Sequence, residues 1–286
     1  MSTEPPFNRI AIIGLGLIGG SIAFAARKAW PSVHVTGIDR EPVAHEAIAR
    51  RAIHDAGQNI SSIAGADLVI LAAPVRQNVE LLREAAPHLQ PSAVVTDAGS
   101  TKRAIVEAAD ALGDRVTFVG GHPLGGGARG GFEFATAGLF SRRPWIFTPG
   151  AHTPANATSR LFNFVRAFGA VPTTMAAAEH DRLLAYLSHL PQLAVSALME
   201  VVGVAAGEKG LAHAGNGLID STRLASSPAS VWRDVCATNA DDIGEALDRL
   251  IARLTELRAD LGRGDALESI FTDAARWRAE LMNSRE

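Results

Sequence analysis

Two groups of residues stand where chemistry can be done. The first is a glycine series, Gly14-Leu15-Gly16-Leu17-Ile18-Gly19, with Asp39 twenty residues beyond Gly19. A β-type run over 9–13 precedes the series, a helical stretch over 21–29 follows it, and Asp39 ends a second β-type run over 34–39. In that setting G-x-G-x-x-G reads as a dinucleotide fingerprint. Gly14 allows the tight turn, Gly16 lets the backbone approach a pyrophosphate, and Gly19 lets helix and strand pack closely. The pyrophosphate sits at the positive helix N-terminus, with Leu15, Leu17 and Ile18 around it. Asp39 accepts hydrogen bonds from the adenine-side ribose and repels a 2′-phosphate, which favours NAD over NADP. Arg40 pulls the other way, because an arginine there can bind that phosphate.

The second group supplies what a bound dinucleotide implies. Hydride transfer from an alcohol needs a base for the hydroxyl proton. Of the nine histidines, His34, His45, His54, His88, His152 and His213 sit in polar contexts. His122 lies in Val119-Gly120-Gly121-His122-Pro123, beyond a strand, where open α/β sheets bind ligands. It reads either as the base or as a loop histidine capping that strand. Gly120 and Gly121 leave room for a substrate on the first reading. Ser100 follows another strand end and is placed to hydrogen-bond a ring nitrogen of His122, setting its tautomer; Ser100 or Thr101 also reads as a helix N-cap. Ser188-His189-Leu190-Pro191 interrupts a helical run, and Pro191 cannot donate to the Leu187 carbonyl, so a kink is expected. His189 there marks a functional bend or a helix end. Arg223 is flanked by small and apolar residues, unlike Arg249, Arg253 and Arg258. A partly buried arginine suits a bidentate carboxylate site or a structural salt bridge.

These residues need a scaffold. Strand-like runs at 9–13, 34–39, 68–72, 93–97, 116–119 and 145–148 alternate with helical stretches at 41–51, 77–86 and 102–111. The alternation predicts an α/β, Rossmann-type, doubly wound and mostly parallel sheet over 1–150. From 151 to 286 helical patterns dominate, at 155–168, 176–203, 231–238, 240–261 and 265–282, which predicts an all-helical C-terminal domain.

Composition narrows the classes. At 286 residues the chain has room for two domains. With 27 Lys+Arg against 30 Asp+Glu it offers no electrostatic reason to bind nucleic acid. A chain 47% hydrophobic and 20% charged is not a disordered one. Cys236 is the single cysteine, so no disulfide framework exists and a reducing, cytoplasmic setting fits. The uncharged run 10–26 is glycine-rich and short for a span of about 20 residues, so neither a leader nor a membrane segment is expected. No metal site is expected.

Taken together, the segments 14–21, Asp39, 97–102, 121–123, 139–140 with 148–149, His180-Asp181, 188–191, and 222–225 followed by 232–234 occur in one order along most of the chain. They resemble the prephenate/arogenate dehydrogenase family of tyrosine biosynthesis. The resemblance implies a nucleotide-binding domain followed by a helical domain that forms a homodimer. It implies NAD-dependent oxidative decarboxylation of an anionic cyclohexadienol, with aromatisation supplying much of the driving force. By family position His122 is the base, Ser100 orients it, His189 lies near the substrate or the nicotinamide, and Arg223 pairs with a carboxylate. Prephenate carries two carboxylates, and Lys102 and Arg129 are further candidates. The family often has Met-Ala-Gly after the histidine and proline; here Leu124-Gly125-Gly126-Gly127 follows, so substrate preference can differ. Neither a mutase segment nor a regulatory domain is expected at the ends. Arogenate and 4-amino-4-deoxyprephenate are alternative substrates. A β-hydroxyacid dehydrogenase would need a lysine base, and Lys209 is the only lysine after Lys102. A non-catalytic NAD-binding module would have lost His122 or Arg223.

Overall fold

The computed structural model describes residues 4–126, 129–151 and 153–284. Its centre is an eight-stranded sheet: β1 (Arg9–Ile13), β2 (His34–Ile38), β3 (Asp55–Ala56), β4 (Leu68–Leu71), β5 (Val94–Asp97), β6 (Thr117–Pro123), β7 (Pro144–Pro149) and β8 (Val171–Thr174). The spatial order is β3-β2-β1-β4-β5-β6-β7-β8. Strands β1 to β6 run parallel, β7 is antiparallel to β6, and β8 is parallel to β7. The order reverses between β1 and β4, and such a switch point opens a crevice at the carboxyl ends of the strands.

The helices are α1 (Leu17–Ala29), α2 (Glu41–Ala49), α3 (Val75–Ala85), α4 (Arg103–Asp110), α5 (Ala155–Arg166), α6 (Ala177–Leu184), α7 (Leu190–Leu211), α8 (Asn216–Ser221), α9 (Ala229–Thr238), α10 (Ala240–Asp260) and α11 (Asp265–Asn283). Both faces of the central strands are covered, so β4 and β5 are buried at every position. Alternation along β1 divides the core. Ile10 and Ile12 pack with Ile22 of α1 and Phe164 of α5 on one face; Ala11 and Ile13 pack with Leu82 of α3 and Ile105 of α4 on the other.

The sheet does not end at residue 150. Helix α5 packs on β6, β7 and β8, and β8 extends the sheet past β7. The helical region therefore starts at Ala177, not 151. Sequence pattern passes over β8 because Val171-Pro172-Thr173-Thr174 is a short, largely exposed edge strand, a place where a sheet tolerates an interior proline. In the helical region Ala185, Val235 and Ile243 form a small buried cluster. Val201 and Val204 of α7, Ile251 and Leu254 of α10, and Phe271 and Trp277 of α11 stay exposed.

Candidate active site

At the β1–α1 turn Gly14 adopts φ +94°, and a Cβ there would fall 2.7 Å from the Ala72 carbonyl carbon. At Gly19 it would fall 1.9 Å from the Gly14 carbonyl oxygen. Only glycine fits this turn, and the two positions act through packing. Gly16, at the N-cap of α1, has nothing within 4 Å of its Cβ position, and no acidic residue occupies the first turn. That open, positive helix end suits a pyrophosphate. Asp39 Oδ2 accepts from the Leu15 N–H at 2.6 Å, and Oδ1 accepts from the Arg40 N–H at 2.7 Å. The carboxylate thus holds the glycine turn as well as ending β2. Leu15 itself is buried, and its N–H is taken. The Arg40 side chain is exposed, its Nε 3.9 Å from Asp39.

Gly16, Leu17, Ile18 and Ser100 line a cavity of about 670 Å³ that also takes in His122 and Arg129. Its far wall is Trp232, Asp234 and neighbours on α9, so the cavity lies between the carboxyl edge of the sheet and the helical region. The residues present fit a dinucleotide with a small substrate beside it.

His122 sits within β6, paired in register with Ile146 of β7, rather than in a loop beyond the strand. Gly120 and Gly121 do not clear space for a substrate: a Cβ would meet Thr148 Oγ1 at 2.2 Å or the Asp97 carbonyl at 2.5 Å, so both serve strand packing. The expected Ser100–His122 hydrogen bond is replaced. His122 Nδ1 lies 2.9 Å from His180 Nε2, and His180 Nδ1 lies 2.8 Å from Asp181 Oδ1. A carboxylate only accepts, so His180 carries its proton on Nδ1 and, when neutral, accepts at Nε2. His122 then donates from Nδ1, and its Nε2 is left as a lone pair. Burial, then the neighbouring His180, Lys102 and His189, holds His122 well below the usual imidazole range, so it stays neutral.

Asp181 has a second task. The N-cap position of α4 is Lys102, which supplies no side-chain cap. Asp181 Oδ1 and Oδ2 accept the Lys102 and Arg103 N–H groups at 2.7 and 2.9 Å, capping α4 from α6. Neither Ser100 nor Thr101 is the cap; Thr101 Oγ1 instead meets Thr238 Oγ1 at 2.8 Å. Burial pushes the Asp181 carboxyl up, but His180 and the two backbone N–H groups outweigh it and hold the group below its ordinary value.

Lys102 does not line the cavity. It is fully buried, with Nζ on Asp97 Oδ2, and Asp97 also accepts from the Gly99 and Gly121 N–H groups at 2.8 and 3.0 Å. Burial, only partly offset by Asp97, lowers the ammonium pKa. Arg129 is exposed on the cavity wall, over the Phe134 ring. Arg223 is exposed, not partly buried, and lies outside the cavity lining, on a turn held by Gln192 Nε2 donating to the Leu224 carbonyl at 2.8 Å. Among the described residues it has no ion pair. His189 ends a π-helical turn, Ala185–His189, which absorbs the break expected from Pro191; π-turns of this kind recur at functional sites. Its ring is edge-on to Trp232, and burial lowers its pKa to about 4. Sequence reasoning missed Asp97 and Asn239, and gave His180 and Asp181 no role; an adjacent His-Asp pair on a helix was the one available signal.

A dinucleotide-type sheet, a neutral imidazole with a free lone pair at its carboxyl edge, and a helical wall opposite define a two-domain, nicotinamide-dependent dehydrogenase. Residues 22–173 match the family model described as prephenate dehydrogenase, nucleotide-binding domain, and residues 176–272 match prephenate dehydrogenase, dimerization domain. The chain belongs to the prephenate dehydrogenase family. It is 35% identical over 270 residues to the prephenate dehydrogenase of Bacillus subtilis (strain 168), covering 92% of this chain and 72% of that one. It is 32% identical over 294 residues to the cyclohexadienyl dehydrogenase of Zymomonas mobilis, covering 98% of each. The crystal structure of prephenate dehydrogenase from A. aeolicus in complex with hydroxyphenyl propionate and NAD+ superposes with a TM-score of 0.88, at 26% identity, covering 96% of this chain and 98% of that one.

Proposed function

We propose that this chain catalyses the NAD-dependent oxidative decarboxylation of prephenate to 4-hydroxyphenylpyruvate. The observation that carries the reading is the free Nε2 lone pair of His122 on a cavity shared with Gly16 and Ser100. The open α1 N-terminus at Gly16 and the turn around it would hold NAD+, which would supply the acceptor for the hydride from ring C4. His122 Nε2 takes the 4-hydroxyl proton, and the charge that builds on its ring is shared through Nδ1 with His180 and Asp181. Loss of CO₂ leaves an aromatic ring, so the protein has to supply orientation and one base. Ser100, beside His122 on the wall, orients the hydroxyl. Arg129, on the cavity wall, takes a substrate carboxylate, while Arg223 lies outside the lining of this single chain and is given no contact there. His189 contributes at the α9 side. Asp39 serves the adenine-side ribose. Lys209 is exposed near the end of α7 and outside the cavity, which gives a lysine-based reaction no support.

The reading extends to a cytoplasmic homodimer with no nucleic-acid partner. The stretch Ala177–Leu211 is long and apolar enough to cross a membrane by length and composition, yet only 6% of its apolar 18-residue window is buried in the chain. The dimerization-domain match supports a second copy as what covers it. Light scattering would read twice the chain mass. The functional test is NADH formation from prephenate, arogenate and 4-amino-4-deoxyprephenate, each with NAD+ and NADP+. The expected result is the highest kcat/KM with prephenate and NAD+; no turnover of any of the three defeats the proposal.

A further inference from the structure

Asn239 is the N-cap of α10, where an asparagine ordinarily turns its side-chain oxygen onto the free N–H groups of the first turn. It makes no such bond. Asp241 and Asp242 in that first turn serve the positive end instead. The Asn239 side chain is buried and carries its amide nitrogen inward, 2.8 Å from the Asp181 carbonyl oxygen and 3.3 Å from His189 Nδ1. Its Oδ1 has no partner. A residue that gives up its own helix and leaves an acceptor unsatisfied is held there by something else.

The amide has one allowed orientation. A backbone carbonyl only accepts, so the atom facing Asp181 must be the NH₂ group. That nitrogen has two hydrogens. One goes to the carbonyl, and the other faces His189 Nδ1, where only a lone pair can meet it. We infer that Asn239 is a positioning residue that fixes His189 as the neutral Nε2–H tautomer, a hydrogen-bond donor at Nε2 that cannot serve as a base there. His122 is set the opposite way. Asp181 governs both rings: its carboxylate acts through His180 to leave His122 Nε2 free, and its carbonyl acts through Asn239 to keep a proton on His189 Nε2. The groups around His189 are Asp181 and His180 of α6, His122 of β6, Asn239 at the start of α10 and the Trp232 ring of α9. Burial dominates over the Asp181 charge, which agrees with a ring held neutral. The division of labour between the two histidines rests on the proposed reaction, in which a donor serves a substrate oxygen; the tautomer does not.

The test is long-range ¹H–¹⁵N correlation on the full chain with ¹⁵N-labelled histidine, at neutral pH, with the His189 signals identified by their loss in His189→Gln. One pyrrole-type nitrogen coupled to both carbon-bound ring protons, the Nε2–H pattern, is expected. Asn239→Asp replaces the donor by an acceptor, so His189 should switch to Nδ1–H or become protonated at higher pH. A wild-type ring protonated at Nδ1, or a tautomer unchanged in Asn239→Asp, overturns the inference. Because this readout needs no turnover, failure of the proposed reaction leaves it intact. In a turnover assay Asn239→Ala should lower kcat by about 10- to 100-fold, taking as the scale the loss when partners that orient a metal-ligating histidine are removed.

Discussion

His180 Nε2 stands 2.9 Å from His122 Nδ1, and this contact decides which nitrogen of His122 is free. His180→Phe keeps the bulk but removes the acceptor, so the His122 ring can turn or change tautomer. The expected loss in kcat is about 10²- to 10⁴-fold, bounded above by the cost of a wrong tautomer in a hydrolase triad. Binding of NAD+, proposed to lie on the β1–α1 turn, should hold within about twofold. Steady-state kinetics and a tryptophan-fluorescence titration check the two halves. Equal loss in both would mean that His180 supports the fold and not the base.

His122→Asn removes the base and keeps a polar side chain of similar reach. A positioned general base contributes about 10²- to 10⁴-fold, so kcat should fall in that range with KM for prephenate changed far less. Nearly unchanged turnover would move the proton transfer to another group.

The lowered pKa values of His122 and His189 have a defined sign. Below pH 6.5, the ordinary imidazole value, the unfolded chain takes up protons that the native state refuses until about pH 4 at His189. The unfolded state then binds more protons, so stability falls as pH drops through that window. The slope is at most about 1.4 kcal/mol per pH unit for each imidazole. Asp181 adds stability above its ordinary value of 3.8, which is lost only at lower pH. Thermal midpoints measured from pH 8 to 4.5 should decline, and His189→Gln should flatten the decline. On the activity side, kcat/KM should have no acid limb near pH 6.5, since His122 is already neutral there.

How much of this was legible in the sequence follows from where each signal lies. The glycine turn, Asp39 and the strand–helix alternation are local patterns, and they fixed the sheet and its cofactor end. Ser100 and His122 line one cavity because the strand ends that carry them converge at the crevice. The partner of His122 was not legible, since His180 comes from α6, 58 residues away. Lys102 lies only five residues from Asp97, but local pattern does not show that the packing of β5, β6 and α4 buries the two as a pair. Arg223 looked partly buried because its neighbours are small and apolar, but the turn that carries it packs beside α7 with Arg223 itself exposed.

The buried Lys102–Asp97 pair is open to a direct test. Its ammonium has no exposure and is paired with Asp97, whose two oxygens also hold the Gly99 and Gly121 N–H groups. Lys102→Met keeps the length of the chain and leaves the Asp97 carboxylate buried without a counter-charge. Breaking a buried pair from one side costs about 3–5 kcal/mol, because the remaining charge is uncompensated. Chemical denaturation should show that loss. Asn at 97 cannot ionise and still accepts at Oδ1, so Asp97→Asn combined with Lys102→Met should recover a large part of it, a coupling expected of residues in direct contact. KM for prephenate should stay within about twofold in both variants, since Lys102 is absent from the cavity wall. A tenfold rise in KM with stability intact would instead return Lys102 to the substrate.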